Sequence, residues 1–327
     1  MTKTKGLTAA LLTGVALIGA AAPAAAQDGA NIFVVGGKAD DPFFAKIKRG
    51  IDDAALVVEA HGGNVTYLQL QTYDNIGGDA ANLIRTAIAQ GADVIAAPNW
   101  VPATQDEAYQ AALAAGIPVM LYNSGGADKA TELGAINYIG NEEYPAGVAG
   151  GEYFGTHDAK NVICVNTVPG AQNLEDRCRG VSDGITASGG VSNQLPLPAS
   201  SFGDPTSVAE AIKATLLQDE TIDGVVAISA GDANSAAIAI QQAGAGDRVS
   251  LGSFDMDEAG LNRVKAGEQL FAIDQQPWLQ GFLAVSLADG YVNYGLASAT
   301  HPILTGPGIV DAANVDVTLA GAAAGYR

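Results

Sequence analysis

Ile32-Phe33-Val34-Val35-Gly36-Gly37-Lys38-Ala39-Asp40-Asp41-Pro42-Phe43-Phe44 is the stretch from which the architecture follows. Residues 32–35 are an apolar run that reads as a first β-strand closing on Gly36-Gly37, and a helical stretch begins near Ala45. Between them stand two carboxylates, a helix-starting proline and two aromatics. Open α/β sheets bind ligands beyond the carboxyl ends of their strands, which is where this group lies. Carboxylates accept hydroxyl donors in pairs, and aromatic faces cover the C–H faces of a sugar ring. The stretch predicts polyol recognition.

The same alternation continues along the chain. Strands are expected at 65–70, 94–97, 119–122 and 135–139, with helices near 43–60, 78–90 and 103–115 between the first four strands. Gly91 and Gly116 stand just past helix ends, where glycine belongs. The pattern restarts after Asn141. Helices near 143–155, 173–187, 205–217 and 232–243 alternate with strands at 162–166, 191–195, 224–228 and 249–253. A last strand at 270–273 leads into a helix near 278–293. Regular β-α alternation predicts an α/β fold of parallel sheets with helices on both faces. Nine or ten strands are too many for one such sheet, so two similar lobes are expected, dividing near 138–141.

The 327 residues are 48% hydrophobic and 16% charged, which suits a globular chain with sizeable cores. The first 26 residues stand apart. Lys3 and Lys5 precede an apolar run at 7–22, and Ala24-Ala25-Ala26 supplies small residues for a peptidase. This reads as a signal peptide cleaved after Ala26. Without the two lysines, 14 basic residues face 35 acidic ones, a charge of −21 against −19 for the whole chain. So acidic a protein lacks the cations that would displace phosphate counterions, and no nucleic-acid partner is expected. Cys164 and Cys178 are the only cysteines. In an exported chain they are expected to form a disulfide, the alternative being two buried thiols. His61, His157 and His301 show no ligand spacing to a cysteine, so no metal site and no cofactor is expected.

Enzyme signatures are missing. Gly36-Gly37 lacks the third glycine of a dinucleotide fingerprint, and neither a phosphate loop nor a Gly-x-Ser-x-Gly elbow occurs. Asp40 and Asp41 are adjacent in an extended segment and point opposite ways, which does not suit a glycosidase pair. Polar and aromatic residues gather instead after strand ends: Asn99 and Trp100, Asn123 and Ser124, Asp232, Asp255, and Gln275 with Gln276. Each alone could be a cap, turn or core residue; their shared position is what points to a cleft.

Taken together these segments resemble the periplasmic sugar-binding proteins of bacterial ABC importers, the group of the ribose- and galactose-binding proteins. The resemblance covers about residues 30–310. Its anchors are Asp40-Asp41-Pro42-Phe43-Phe44, Gly116-Ile117-Pro118-Val119 leading to Asn123, Arg177-Cys178-Arg179-Gly180, Leu251-Gly252-Ser253-Phe254-Asp255, and Ile273-Asp274-Gln275-Gln276-Pro277-Trp278. It implies two Rossmann-like lobes joined by three crossovers, near 138–141, 274–276 and 304–306. The first lobe would comprise 27–138 and 276–305, the second 139–275 and 306–327. It also implies a monomeric receptor in the periplasm that closes on a small neutral carbohydrate and docks on membrane permease subunits.

Position by position, Asp41 resembles the family's first polar ligand, and Phe43 and Phe44 its stacking aromatics. Asn123, Arg179, Asp255 and Gln275 match an acceptor, an arginine, a second-lobe carboxylate and a hinge-side amide, and Phe202 matches a second stacking aromatic. Gly231 before Asp232 replaces an asparagine common in relatives, and Ser124 stands where ribose binders carry arginine. Lys38 and Trp100 have no counterpart in the ribose binder and are expected to line a differently shaped pocket. The competing readings are a receptor for a signalling furanose or a sugar acid, and an exported enzyme on the same scaffold.

Overall fold

The computed structural model describes residues 29–327, so the expected signal peptide lies outside the described residues. The first half of the chain runs β1 (Asn31–Gly36), α1 (Pro42–Ala60), β2 (Asn64–Gln69), α2 (Ile76–Ala89), β3 (Val94–Ala97), α3 (Pro102–Ala114), β4 (Val119–Tyr122), α4 (Gly126–Leu133) and β5 (Tyr138–Gly140). The second half repeats it with α5 (Glu143–Thr156), β6 (Asn161–Asn166), α6 (Gln172–Thr186), β7 (Val191–Pro196), α7 (Pro205–Gln218), β8 (Gly224–Ala227), α8 (Ala230–Gln242), β9 (Ser250–Phe254), α9 (Glu258–Ala266) and β10 (Phe271–Asp274). The chain then follows α10 (Pro277–Tyr294), β11 (Ile303–Leu304), β12 (Gly308–Val310) and α11 (Val315–Ala323).

The strands form two six-stranded sheets, ordered β11-β5-β4-β3-β1-β2 and β12-β10-β9-β8-β6-β7. Their neighbours are parallel except β12, which runs antiparallel to β10. Central strands β3, β4 and β8 are buried along their whole length, which is why they read as unbroken apolar runs. Alternate residues of β1 serve opposite faces: Ile32 and Val34 pack with α1 and α10, Phe33 and Val35 with α2 and α3. The second sheet is likewise covered on both faces.

The α/β class with two parallel-dominated sheets agrees with the sequence reading, and β3 and β4 occupy the expected residues. Three differences have physical causes. Ile139 and Gly140 stay in the first sheet, because β5 pairs with β4 and β11, so the chain leaves that sheet at 141–142 rather than after 138. The other two passages between sheets lie at 275–276 and 305–307. Strands β11 and β12, with two and three residues, are too short to show a period. Helix α4 opens on Gly125 and Gly126, both at positive φ, and so reads as loop. Helix α9 was within reach of the sequence, since Asp257 caps its start and Gly267, left-handed, ends it.

Candidate functional site

Asp41 is the N-cap of α1. One carboxylate oxygen accepts the backbone N–H of Phe43 (2.9 Å), and the other accepts the Tyr73 hydroxyl (2.6 Å). With Pro42 at the first helical position, this cap fixes where Phe43 and Phe44 point. Burial raises the Asp41 carboxyl above the ordinary range, against the pull of Tyr73 and the helix N–H groups. Phe44 meets Phe43 and Trp100 edge to face, at 5.5 and 5.8 Å between ring centres.

Across the gap, Asp255 follows β9. It stands where Asn123 stands after β4: both are left-handed (φ 60° and 62°), and each donates its N–H to the next strand (Ile273 and Ile139 oxygens, 2.9 Å). Only asparagine and aspartate among larger residues adopt this backbone readily, so it turns a short polar side chain off the strand end. Gln275 donates from its amide nitrogen to Asp255 and accepts from Arg177 (3.0 Å). Burial pushes the Asp255 carboxyl up to about 6 despite Arg177 and Gln275.

Arg177 is the arginine of the cleft. Its guanidinium holds Glu143 with two bonds (2.7 and 3.1 Å), donates to the Ile228 oxygen (2.9 Å) and lies over the Phe254 ring. The sequence expectation for Arg179 is overturned in position: its side chain is 62% exposed, paired with Asp176 and lying over Tyr144, whereas that of Arg177 is 3% exposed. Two residues along a helix lie about 200° apart, so the two arginines face opposite ways. The period of α6 carried the signal, because its buried face (Cys178, Val181, Ile185) includes Arg177 and not Arg179. The expected disulfide is present: Cys164 on β6 and Cys178 on α6 are joined, with Cα atoms 5.5 Å apart.

These groups surround a cleft between the two sheets. Asp41, Phe43, Phe44, Trp100, Asn123, Phe202, Asp255 and Gln275 line it together, as the sequence reading expects them to meet. Tyr73 and Asn173 line it as well and were missed. Asn173 is buried with an unpartnered side-chain oxygen, and Tyr73 meets Phe202 edge to face at 5.0 Å. Lys38 and Asp232 lie in an adjoining chamber that shares Asp41, Phe43, Phe202, Ser229 and Asp255 with the first. Lys38 is 3.5 Å from Asp40, with its ammonium over the Tyr73 and Phe202 rings. Asp232 is not the cap of α8, a role Ser229 takes; its carboxylate accepts the Thr167 hydroxyl (2.8 Å), and burial pushes it up to about 6.

Residues 32–296 match the periplasmic binding protein domain family. The chain belongs to that family. It is 28% identical to the xylose/arabinose-binding protein XylF of Sulfolobus acidocaldarius over 260 residues, 74% of this chain and 61% of that protein, so it spans less than two thirds of that relative. A carbohydrate transporter of Acidothermus cellulolyticus 11B, solved in complex with myo-inositol, is 30% identical with a TM-score of 0.82, covering 91% of this chain and all of that one. A glucose-galactose binding protein of Geobacillus stearothermophilus shares the fold at 17% identity and a TM-score of 0.75, covering 88% of this chain and 99% of that one.

Proposed function

We propose that this chain is the solute receptor of an ABC importer and closes on a small neutral carbohydrate or cyclitol between its two lobes. The observation that carries the reading is the makeup of one cleft. Aromatic faces from both lobes (Phe43, Phe44, Trp100, Phe202) stand beside Asp41, Asp255, Asn123, Asn173 and Gln275. Ring C–H faces suit the aromatics, and hydroxyl donors suit the carboxylates and amides. Charge argues against an acidic ligand, because Arg177 already serves Glu143 while Asp41 and Asp255 add negative charge. The similarity to a xylose/arabinose-binding protein and to a protein solved with myo-inositol favours a small ring carrying about four to six hydroxyls. No step of bond breaking is assigned; the receptor delivers its ligand unchanged to permease subunits.

Residence in the periplasm after cleavage at Ala26 belongs to the same proposal, and a mature protein starting at Gln27 by mass spectrometry checks it. A thermal-shift screen of refolded protein against pentoses, hexoses, cyclitols, alditols and sugar acids tests the ligand class. Stabilisation by one or a few neutral compounds supports the reading. A response confined to acids overturns the neutral class, and conversion of a bound compound to product overturns the receptor.

A further inference from the structure

Closing this cleft brings like charges together. Asp41 belongs to the first lobe, Asp232 and Asp255 to the second, and the Asp41 charge pushes both of the others further up. Asp257, the cap of α9, and Asp274, at the end of β10, lie on the same side. Something must offset their repulsion in the closed molecule.

Lys46 occupies the place where it can. It lies one turn into α1 from Asp41 and Phe43, and its ammonium reaches across to the second lobe, donating to the backbone oxygen of Met256 at 2.9 Å. Met256 sits between Asp255 and Asp257, and both carboxylates favour the charged ammonium. Burial lowers its proton affinity below the usual lysine range, outweighing Asp255, Asp257, Asp274 and Asp41, which favour the charged form in that order of strength. The other cations nearby are committed. Arg177 holds Glu143, Arg327 holds Asp274 (2.8 Å), Lys38 lies by Asp40, and Arg49, one turn along, covers the Tyr326 ring. Lys46 lines only the outer chamber, not the cleft that holds Asn123 and Arg177.

We propose that Lys46 is a positioning residue that sets the open–closed balance: its ammonium clasps the second lobe at Met256 and neutralises the carboxylates that closure crowds together. The claim rests on closure of the cleft and not on which ligand fills it. Loss of a hydrogen bond from a charged group lowers the closed-to-open ratio about tenfold or more. The loss depends on pH. Lys46 matters while Asp255 is ionised, and matters less once it takes up a proton, so the gap between wild type and variant narrows as pH falls from 8 to 5.

The test reads lobe separation directly. Spin labels at Leu56→Cys in the first lobe and Leu217→Cys in the second, both exposed positions, report interlobe distances by pulsed dipolar spectroscopy. Wild type, K46M and K46R are compared at pH 8 and pH 5, alone and with myo-inositol or D-xylose. The expected result is a shift toward long distances in K46M at pH 8, partial recovery at pH 5, and near wild-type distances in K46R. Identical distributions in all three proteins, or a K46M shift that pH leaves unchanged, overturn the proposal. If neither compound changes any protein while the ligand-free distances still separate K46M from wild type, Lys46 keeps its role and these two compounds are excluded as ligands.

Discussion

Removing Arg177 leaves Glu143 buried without its partner, and breaking one side of a buried ion pair costs about 3–5 kcal/mol. Arg177→Met is therefore expected to lower stability in denaturant titrations by that order and to abolish ligand binding, whereas Arg179→Ala changes stability by less than about 0.5 kcal/mol and leaves affinity intact. Binding lost in Arg179→Ala and kept in Arg177→Met would show by calorimetry that the arginines have been assigned the wrong way round. The buried carboxylates give a second expectation. Asp232 and Asp255 titrate near 6 in the folded protein, above the unfolded value near 3.9. The folded state then binds more protons between about pH 4 and 6, so their effect is to make stability fall as pH rises through that window. The ligand-free protein should melt higher at pH 5 than at pH 7. If hydroxyls bind the ionised carboxylates, calorimetry near pH 6 in buffers of different ionisation enthalpy will show proton release on binding.

Helix α6 carries Asn173 and Arg177 into the cleft, and its placement depends on how closely it meets α5. A methyl group at Gly180 would lie 2.3 Å from the Tyr144 oxygen, and one at Gly147 2.3 Å from the Arg177 oxygen. Backbone meets backbone there, so neither side can yield cheaply. Gly180→Ala is expected to destabilise by more than about 2 kcal/mol and to weaken ligand binding by displacing Arg177. Thermal melts together with titration of the identified ligand check this, and a fully stable variant would show that the helices can part freely. The disulfide anchors the same helix to β6; closing a loop of 14 residues contributes about 3 kcal/mol, which reduction should remove. This explains why the sequence yields some elements and not others. Long helices and buried strands carry their period in the chain, and Asp41-Pro42 announces α1 by its capping chemistry. By contrast, β11 and β12 exist because neighbouring strands offer them edges. Arg177 and Tyr73 are known as cleft residues only once helix phase and the fold of the loop after β2 are fixed.

The two lobes repeat one design. The backbone N–H of Asn31 at the start of β1 donates to the Asp93 carboxylate (2.8 Å) as that of Asn161 at the start of β6 donates to Asp223 (2.8 Å), and the left-handed Asn123 and Asp255 occupy matching strand ends. Facing each other, the repeats put polar strand ends on both walls of one cleft, which neither lobe could complete alone. Ligand binding should therefore be coupled to closure, a population shift whose size is set by the difference in affinity between closed and open forms. A ligand at 100 times its dissociation constant stabilises the fold by about 2.7 kcal/mol, enough to raise the melting temperature by several degrees in a chain of this size. If both walls contribute, small-angle scattering recorded in the same titration will show the radius of gyration falling with the same midpoint as the melting shift. Phe202→Ala, which removes an aromatic face of the second lobe, should weaken binding and blunt the compaction while leaving the ligand-free melting temperature nearly unchanged. A melting shift without compaction would mean that one lobe binds by itself, and the paired-wall account of this cleft would then fail.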